Sequence, residues 1–358
     1  MNPPYSGRRS AVLLYAQSKG FDGVLVGEPQ NLYYLTGFWG EAFVVLTPQG
    51  TSLVVPALEL DRAQSSVTDT EVVASDRGPD IYKKVKEKVG NNRMLTDDIP
   101  ASTFALLSEI LPTGTKVDPD ALLISRRVKD EAEIELMVQG GRVMDRLYDV
   151  TAEILSPGVD ERTVAGSVLD EMVRLRADPP AYSSTLNPLI VATGANGSLP
   201  HAYTTDRKVE RGDFVVCDYV LRFGGYVVDA TRTFAVGSPT PEMVKAYDAV
   251  FSAQAAGLEA TRVGAKTDDV DRACRGYLER RGLGQYFVHG TGHGIGLDVH
   301  EPPWVRKDDK EVLKRNVAIT VEPGVYMSGR FGVRIEDSVI VADRPLVLTR
   351  YTKELLNL

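Results

Sequence analysis

The sequence predicts an α+β chain of two domains, a smaller α/β domain over residues 1–125 and a larger domain over 126–358 built from two similar halves. Three observations carry this. Strand-like and helix-like pieces alternate over about the first 120 residues, the pattern of an α/β domain. Near residue 125 the character changes and a long amphipathic helix opens. From there the order of elements runs through once and then repeats about 105 residues later.

In the first domain FDGVLVGEP (21–29) and EAFVVLTPQGTSLVVPA (41–57) read as strands, and RRSAVLLYAQSKG (8–20) and PDIYKKVKEKVG (79–90) as helices. In SRRVKDEAEIELM, Asp130 stands as N-cap with Glu133 three residues on, the spacing of a capping box. Ile134, Met137, Val138, Met144, Leu147, Tyr148 and Leu155 keep helical spacing until Ser156-Pro157-Gly158. The prediction is a long helix over 131–155 closed by Gly158, then a shorter one from Asp160 to Arg176. Later a long helix over 241–262 closes at Gly264, and a shorter one runs from Thr267 to Arg281. Each pair precedes a strand-rich segment holding two acids, Asp218 and Asp229 in the first, Glu322 and Glu336 in the second. A repeat this long is not a solenoid. Two α/β halves facing each other, a pseudo-two-fold duplication, is the simpler architecture, and it rests on element order rather than on identity between the halves.

The bulk numbers exclude several classes. An apolar fraction of 43% and a charged fraction of 25% are those of a soluble globular protein. The net charge of −8 argues against a nucleic-acid binder. The longest N-terminal apolar run, Ala11 to Ala16, is too short for a signal segment or a membrane span, so no membrane association is expected. Two cysteines, Cys217 and Cys274, suggest no disulfide framework, and the cytoplasm is the expected compartment.

The acids pose a chemical question. DFVVCDYVLRFGGYVVDATRTFAV (213–236) reads as a hairpin about Gly224-Gly225. A turn centred between Phe223 and Gly224 puts Asp218 directly across from Asp229. Like charges there repel unless a cation lies between them or one carboxyl holds a proton. The segment NVAITVEPGVYMSGRFGVRIEDSVIV (316–341) repeats the arrangement, with Glu322 and Glu336 symmetric about Gly329 and a bulge expected at Pro323-Gly324. Between the hairpins, HGTGHGIGLDVHEPP (289–303) holds three of the chain's four histidines, His289, His293 and His300. Gly290 stands where a zinc helix of the HExxH type needs glutamate, and the loop lacks the Gly-Lys-Ser/Thr ending of a phosphate-binding loop. A three-histidine zinc site stays open but leaves the four acids unexplained. Four carboxylates with an imidazole suit two divalent ions of the Mn²⁺, Co²⁺ or Zn²⁺ kind, whose charge they balance.

These residues resemble the metallopeptidases of the pita-bread fold, the family of prolidase, aminopeptidase P and methionine aminopeptidase. The signature is Asp218 and Asp229 followed by Ala230-Thr231-Arg232-Thr233-Phe234, His293 in its Gly-His-Gly-Ile-Gly loop, Glu322 in VEPG and Glu336 in RIED. It spans about residues 130 to 358, while EPQNLYYLTGF (28–38) resembles the N-terminal domain of the prolidase, aminopeptidase P and creatinase branch. Methionine aminopeptidases lack that domain. The resemblance implies that Asp218 binds one ion, His293 with Glu322 the other, and that Asp229 and Glu336 bridge both. It further implies Glu322 as general base beside a bridging hydroxide, His289 and His300 as catalytic and substrate-contacting, and His201 on the substrate side. Arg334, on the face of Glu336, is expected to orient a ligand carboxylate or contact substrate. Three positions depart from the usual pattern: Val220 replaces glycine, Val228 replaces serine or glycine, and Thr352-Lys353-Glu354-Leu355 replaces Pro-Lys-Glu-Leu. The two valines are expected to narrow the pocket.

The function implied is a metal-dependent exopeptidase that cleaves Xaa-Pro bonds in proline-containing di- or oligopeptides. Proline's amide lacks an N–H and its ring fixes φ, so the bond needs a dedicated pocket. Xaa-Pro dipeptidase, a prolidase, is the first reading, aminopeptidase P acting on longer peptides the second, and a creatinase-like hydrolase or binding module on the same fold the third. The third requires lost ligands, and none is lost. A homodimer is the assembly the resemblance implies.

Overall fold

The structure, a computed structural model, describes residues 5–358 apart from 77, 181–184 and 186. The chain divides into two compact units, Met1–Arg126 and Arg127–Leu358.

In the first unit β1 (Gly23–Val26), β2 (Phe43–Thr47), β3 (Gly50–Pro56), β4 (Glu71–Ser75), β5 (Met94–Thr96) and β6 (Lys116–Val117) form one sheet, in the order β4-β3-β2-β1-β5-β6. The first three strands pair antiparallel, while β4, β5 and β6 join parallel. Leu25, Val45 and Val54 from the sheet pack with Ile81, Val85 and Val89 of the helix Pro79–Val89. Inside EPQNLYYLTGF lies a short helix, Pro29–Thr36, whose N-cap Glu28 makes no side-chain cap. Its start is held instead by buried Asp97, which accepts from the Gly27 and Glu28 amides and from Asn31 Nδ2, each at 3.0 Å.

In the second unit the α-helices among the described residues are Glu131–Ile154, Glu161–Arg174, Pro241–Ala260 and Thr267–Arg280. The capping box at Asp130 closes in both directions, at 2.9 Å from the Glu133 amide and 2.8 Å from the Asp130 amide to Glu133 Oε2. After the first helix pair come β7 (Leu189–Thr193), β8 (Phe214–Phe223) and β9 (Tyr226–Ala235), an antiparallel sheet in that order. After the second come β10 (Gly292–Gly294), β11 (Glu301–Val305), β12 (Ala318–Val321), β13 (Gly324–Met327), β14 (Phe331–Arg334), β15 (Asp337–Ile340) and β16 (Leu346–Val347). Their main sheet runs β11-β10-β12-β15-β16, and β13 pairs with β14. The order helix, helix, strands thus occurs twice.

Two register expectations are corrected. The β8–β9 turn centres on Gly224-Gly225, both in the left-handed region at φ 55° and 88°, so Phe223 faces Tyr226. A two-residue turn with two positive φ values matches the twist of the strands. Asp218 therefore faces Thr231, and Asp229 faces Val220. The aspartates are diagonal rather than direct neighbours, and the offset of two keeps them on one face. In the second half no bulge occurs at Pro323-Gly324. Val321 pairs with Asp337 on one side and Gly324 with Arg334 on the other, a single register with equal residues missing from each strand. Glu322 and Glu336 stand in that gap.

The loop that carries the histidines leans on a buried ion pair. Lys129 Nζ lies 2.7 Å from Glu301 Oε1, with the two side chains 1% and 2% exposed. Removing one member of such a pair strands the other charge, whereas replacing both with apolar groups is far less costly. Lys129→Met is therefore expected to lower stability by about 3–5 kcal/mol, and Lys129→Met with Glu301→Leu to recover most of the loss in calorimetric melting. A double variant no more stable than the single one would refute this account.

Candidate metal centre

Every candidate named from the sequence reaches one cavity of about 530 Å³, lined among others by His201, Asp218, Asp229, His289, His293, His300, Glu322, Arg334 and Glu336. Alternation on β9 turns Asp229 to the cavity and sends its neighbour Val228 the other way. Val228 is fully buried and packs where a side chain on Gly140 of the long helix would intrude, so it does not line the cavity, contrary to expectation. Val220, opposite Asp229, does line it.

His293 sits on β10 because three glycines let that strand be overlaid closely. A Cβ on Gly292 would lie 2.1 Å from the Thr320 carbonyl oxygen, and one on Gly294 2.4 Å from that of Glu301. At Gly296 it would lie 2.7 Å from Glu301 Oε1 and 3.0 Å from Lys129 Nζ. The glycines are there for proximity, and φ plays no part.

At the centre, ligand atoms of Asp229, His293 and Glu336 all lie within 4.8 Å of one another. His293 Nε2 is 3.4 Å from Glu322 Oε1 and 3.9 Å from Asp229 Oδ2. Its Nδ1 faces the Gly294 carbonyl at 3.0 Å, which sets the proton on Nδ1 and leaves the Nε2 lone pair toward the carboxylates. Burial, with His300 4.3 Å away ring to ring, pushes the His293 imidazolium down to about 3. The ring is neutral and able to ligate. Asp218 stands apart from this group, held by Arg334 Nη2 at 2.6 Å.

Arg334 is the cation among four carboxylates. Buried on β14, it donates from Nε to Thr231 Oγ1 at 3.0 Å and from Nη1 to Tyr326 Oη at 2.6 Å and the Pro200 carbonyl at 3.2 Å. Thr231 in turn donates to Glu336 Oε2 at 2.7 Å, and Thr320 to Glu322 Oε1 at 3.2 Å. Tyr326 was not singled out in the sequence, yet its hydroxyl lies 2.9 Å from His289 Nε2, while His289 Nδ1 faces the Gly290 carbonyl at 2.7 Å. Both ring nitrogens of His289 are thus engaged, and it reaches a substrate only by exchanging Tyr326 for it. His201 and His300 are exposed at the cavity.

One guanidinium does not neutralise four acids. Burial pushes the Asp229 carboxyl well above the usual range, and Glu336, Asp218 and Glu322 push it further. Burial does the same to Glu336, with Glu322 and Asp218 adding to it. Glu322 rises to about 8, through burial opposed by Arg334 and helped by Asp218. Asp218 Oδ1 and Asp229 Oδ1 are buried with no hydrogen-bond partner. Buried carboxylate oxygens without donors are costly, and hard divalent cations are the ligands that satisfy them. The donor set therefore fits metal ions.

Fold and site together define a metal-dependent hydrolase: acids and a neutral imidazole from two like halves converge in one buried cavity. The chain belongs to metallopeptidase family M24, which it matches over residues 135–343, and residues 8–128 match the creatinase/prolidase N-terminal domain. Its fold is the α+β one of that combination, an N-terminal domain ahead of a pita-bread domain. The chain is similar to the probable dipeptidase PepE of Mycobacterium tuberculosis, 34% identical over 352 residues that make up 95% of this chain and 92% of that protein. It is similar to the Xaa-Pro dipeptidase of Pyrococcus furiosus, 32% identical over 98% of this chain and 99% of that one. The crystal structure of the prolidase from Pyrococcus horikoshii superposes with a TM-score of 0.90 at 28% identity, covering 98% of this chain and 100% of the other.

The raised carboxyls set a sign for metal-free protein. A carboxyl at about 8 in the fold, against about 4.3 when unfolded, stabilises fully below the lower value, and the contribution is lost as pH rises through the upper one. The melting temperature of chelator-treated protein is expected to fall between pH 5 and 8, and added Mn²⁺ to flatten the profile. A metal-free melting temperature that rises over that interval would contradict the assignment.

Proposed function

We propose that the protein is a dinuclear metal-dependent Xaa-Pro dipeptidase, with Xaa-Pro aminopeptidase activity on longer peptides as the second reading. The observation that carries the metal part is the convergence of four carboxylates and neutral His293 in one cavity with two carboxylate oxygens lacking donors. The names of its relatives support the substrate: one is an Xaa-Pro dipeptidase, another a prolidase.

In this reading Asp218, Asp229, His293, Glu322 and Glu336 would hold the ions. Mn²⁺, Co²⁺ and Zn²⁺ all suit these donors. The ions, when bound, supply Lewis acidity and water made acidic at neutral pH. Glu322 is the general base in this reading: its Oε1 faces His293 at 3.4 Å and accepts from Thr320 Oγ1 at 3.2 Å. Thr320 and Thr231 orient Glu322 and Glu336 through the hydrogen bonds given above. His300 and His201, exposed at the cavity, contact the substrate, and His289 joins them by giving up Tyr326. Arg334 holds and aims Asp218.

No helix among the described residues is long and apolar enough to cross a membrane. Cys217 and Cys274 are buried and free, which fits the cytoplasmic setting we propose. A homodimer is the assembly we propose, on the family resemblance.

The test is hydrolysis of Gly-Pro, Ala-Pro and Ala-Pro-Ala by protein stripped with chelator and reloaded with Mn²⁺, Co²⁺ or Zn²⁺. Metal-restored cleavage of the dipeptides alone is expected. Cleavage of the tripeptide as well would move the protein to the aminopeptidase reading, and no turnover of any of them with metal bound would overturn the Xaa-Pro assignment. Asp229→Asn, which removes one of the charges that would hold the ions, is expected to lower kcat by at least roughly 100-fold, the scale on which losing an electrostatic group at a reacting centre acts.

A further inference from the structure

We infer that Arg275, paired with Asp271, is a positioning residue that fixes the backbone pivot of His289, an assignment that rests on the part given to His289 in the reading above. Both lie on the helix Thr267–Arg280, four residues apart with the acid first, the favoured order for such a pair. Asp271 is fully buried on the face that also buries Val270, Cys274 and Leu278, where a carboxylate is tolerated only when paired and hydrogen-bonded. Arg275 does both: its Nε donates to Oδ2 at 2.9 Å and its Nη2 to Oδ1 at 3.0 Å.

The rest of the guanidinium is turned to the histidine loop. Nη1 donates to the Phe287 carbonyl at 3.0 Å and Nη2 to the His289 carbonyl at 2.8 Å, and the guanidinium carbon stands 4.3 Å from the centre of the Phe287 ring. Asp271 Oδ1 adds the next alternate residue, accepting from Thr291 Oγ1 at 2.9 Å. The Thr291 carbonyl in turn accepts from the Glu322 amide at 2.8 Å. Residues 287, 289 and 291 are thus tied to one turn of helix, while Val288 between the first two is exposed.

The stretch 287–291 belongs to no helix or strand, so its carbonyls take donors from side chains instead of from a ladder. The clamp matters because His289 has to move. Its Nε2 lies 2.9 Å from Tyr326 Oη, and in the reading above it meets substrate by leaving that hydroxyl. With the carbonyls at 287 and 289 held, the ring turns about its own side-chain torsions and the pivot stays in place. A misplacement of roughly 1 Å at a reacting centre can cost about 100-fold in rate. Lysine at 275 still meets Asp271, and so keeps the Thr291 bond, but it lacks the planar fork that holds the carboxylate and both carbonyls together.

The experiment records imidazole-nitrogen NMR spectra of the Zn²⁺-loaded chain and kcat/KM for Ala-Pro of the Mn²⁺-loaded chain, for wild type, Arg275→Lys, His289→Ala and the double variant. The chain has four histidines, so the signals missing from His289→Ala are those of His289. Arg275→Lys should move these signals and leave those of His201, His293 and His300 in place, with metal content unchanged and kcat/KM about 10- to 100-fold lower. The double variant should stay within about twofold of His289→Ala, because a pivot without its ring has nothing to place. His289 signals unmoved in Arg275→Lys, or an equal loss of turnover in the His289→Ala background, would overturn the role of Arg275 and leave the Xaa-Pro reading standing. Displacement of all four sets of signals would make Arg275 a general support of the fold and overturn that role as well. No turnover by wild type would bring down the Xaa-Pro reading, and the spectra would still decide whether Arg275 places His289.

Discussion

Mutual repulsion among Asp218, Asp229, Glu322 and Glu336 is the constraint to which the larger domain is built. Four carboxylates in a low-dielectric cavity are tolerated only with cations, protons or donors supplied by their surroundings. The surroundings supply a little of each. Arg334 takes Asp218, threonines at 231 and 320 take one oxygen each of Glu336 and Glu322, and burial raises the carboxyls of Asp229, Glu336 and Glu322. What is left over is Asp218 Oδ1 and Asp229 Oδ1, buried without a hydrogen-bond donor. Each supporting residue has its own support: Thr231 accepts from Arg334, and Thr320 accepts from the His293 amide at 3.1 Å.

The same economy appears beneath the site. Arg232, next to Thr231 but pointing to the opposite face of β9, donates to the Glu336 carbonyl at 2.6 Å and to Asp337 Oδ1 at 2.8 Å. Asp337 also takes Lys353 Nζ and Gln254 Nε2, each at 2.8 Å. Desolvation alone would raise that carboxyl, yet Arg232 and Lys353 outweigh it and hold it at about 2. Adjacent acids thus end up on opposite sides of the usual carboxylate range: Glu336 faces other acids, and Asp337 faces two cations. The lysine of the Lys-Glu-Leu segment near the C-terminus makes this contact, while Thr352, where proline is usual, gives its carbonyl to Arg232 Nε at 3.1 Å and accepts at its hydroxyl from the Glu354 amide at 3.1 Å.

Much of this was legible in the sequence, because the residues that carry it violate local preference. Aspartates inside runs of valine and phenylalanine, and histidines among glycines, are unexplained as structure and so point to chemistry. Helix ends were legible from Asp130 and Asp160, whose caps are local. The β8–β9 register was missed by one step because the choice between centring on Phe223-Gly224 and on Gly224-Gly225 is made by backbone φ, which the letters alone do not specify. Tyr326 was missed for another reason: its partners His289 and Arg334 come from separate strands, and a tyrosine on a β-rich run raises no flag. Val228 was misjudged because a departure from a family pattern does not tell which face of the strand it falls on, whereas alternation from Asp229 would have.

The site also lies on the seam between the two halves of the repeat. Asp218 and Asp229 belong to the first half, and His293, Glu322 and Glu336 to the second. Arg334 to Asp218, Thr231 to Glu336 and the Asp229 amide to Ser338 Oγ at 3.0 Å cross the same seam. Chemistry and cohesion are therefore written in one set of side chains. If the proposed site is the working one, a lineage carrying this arrangement cannot discard either half and keep a working remnant, and drift at Ser338 or Thr231 would erode folding and turnover together.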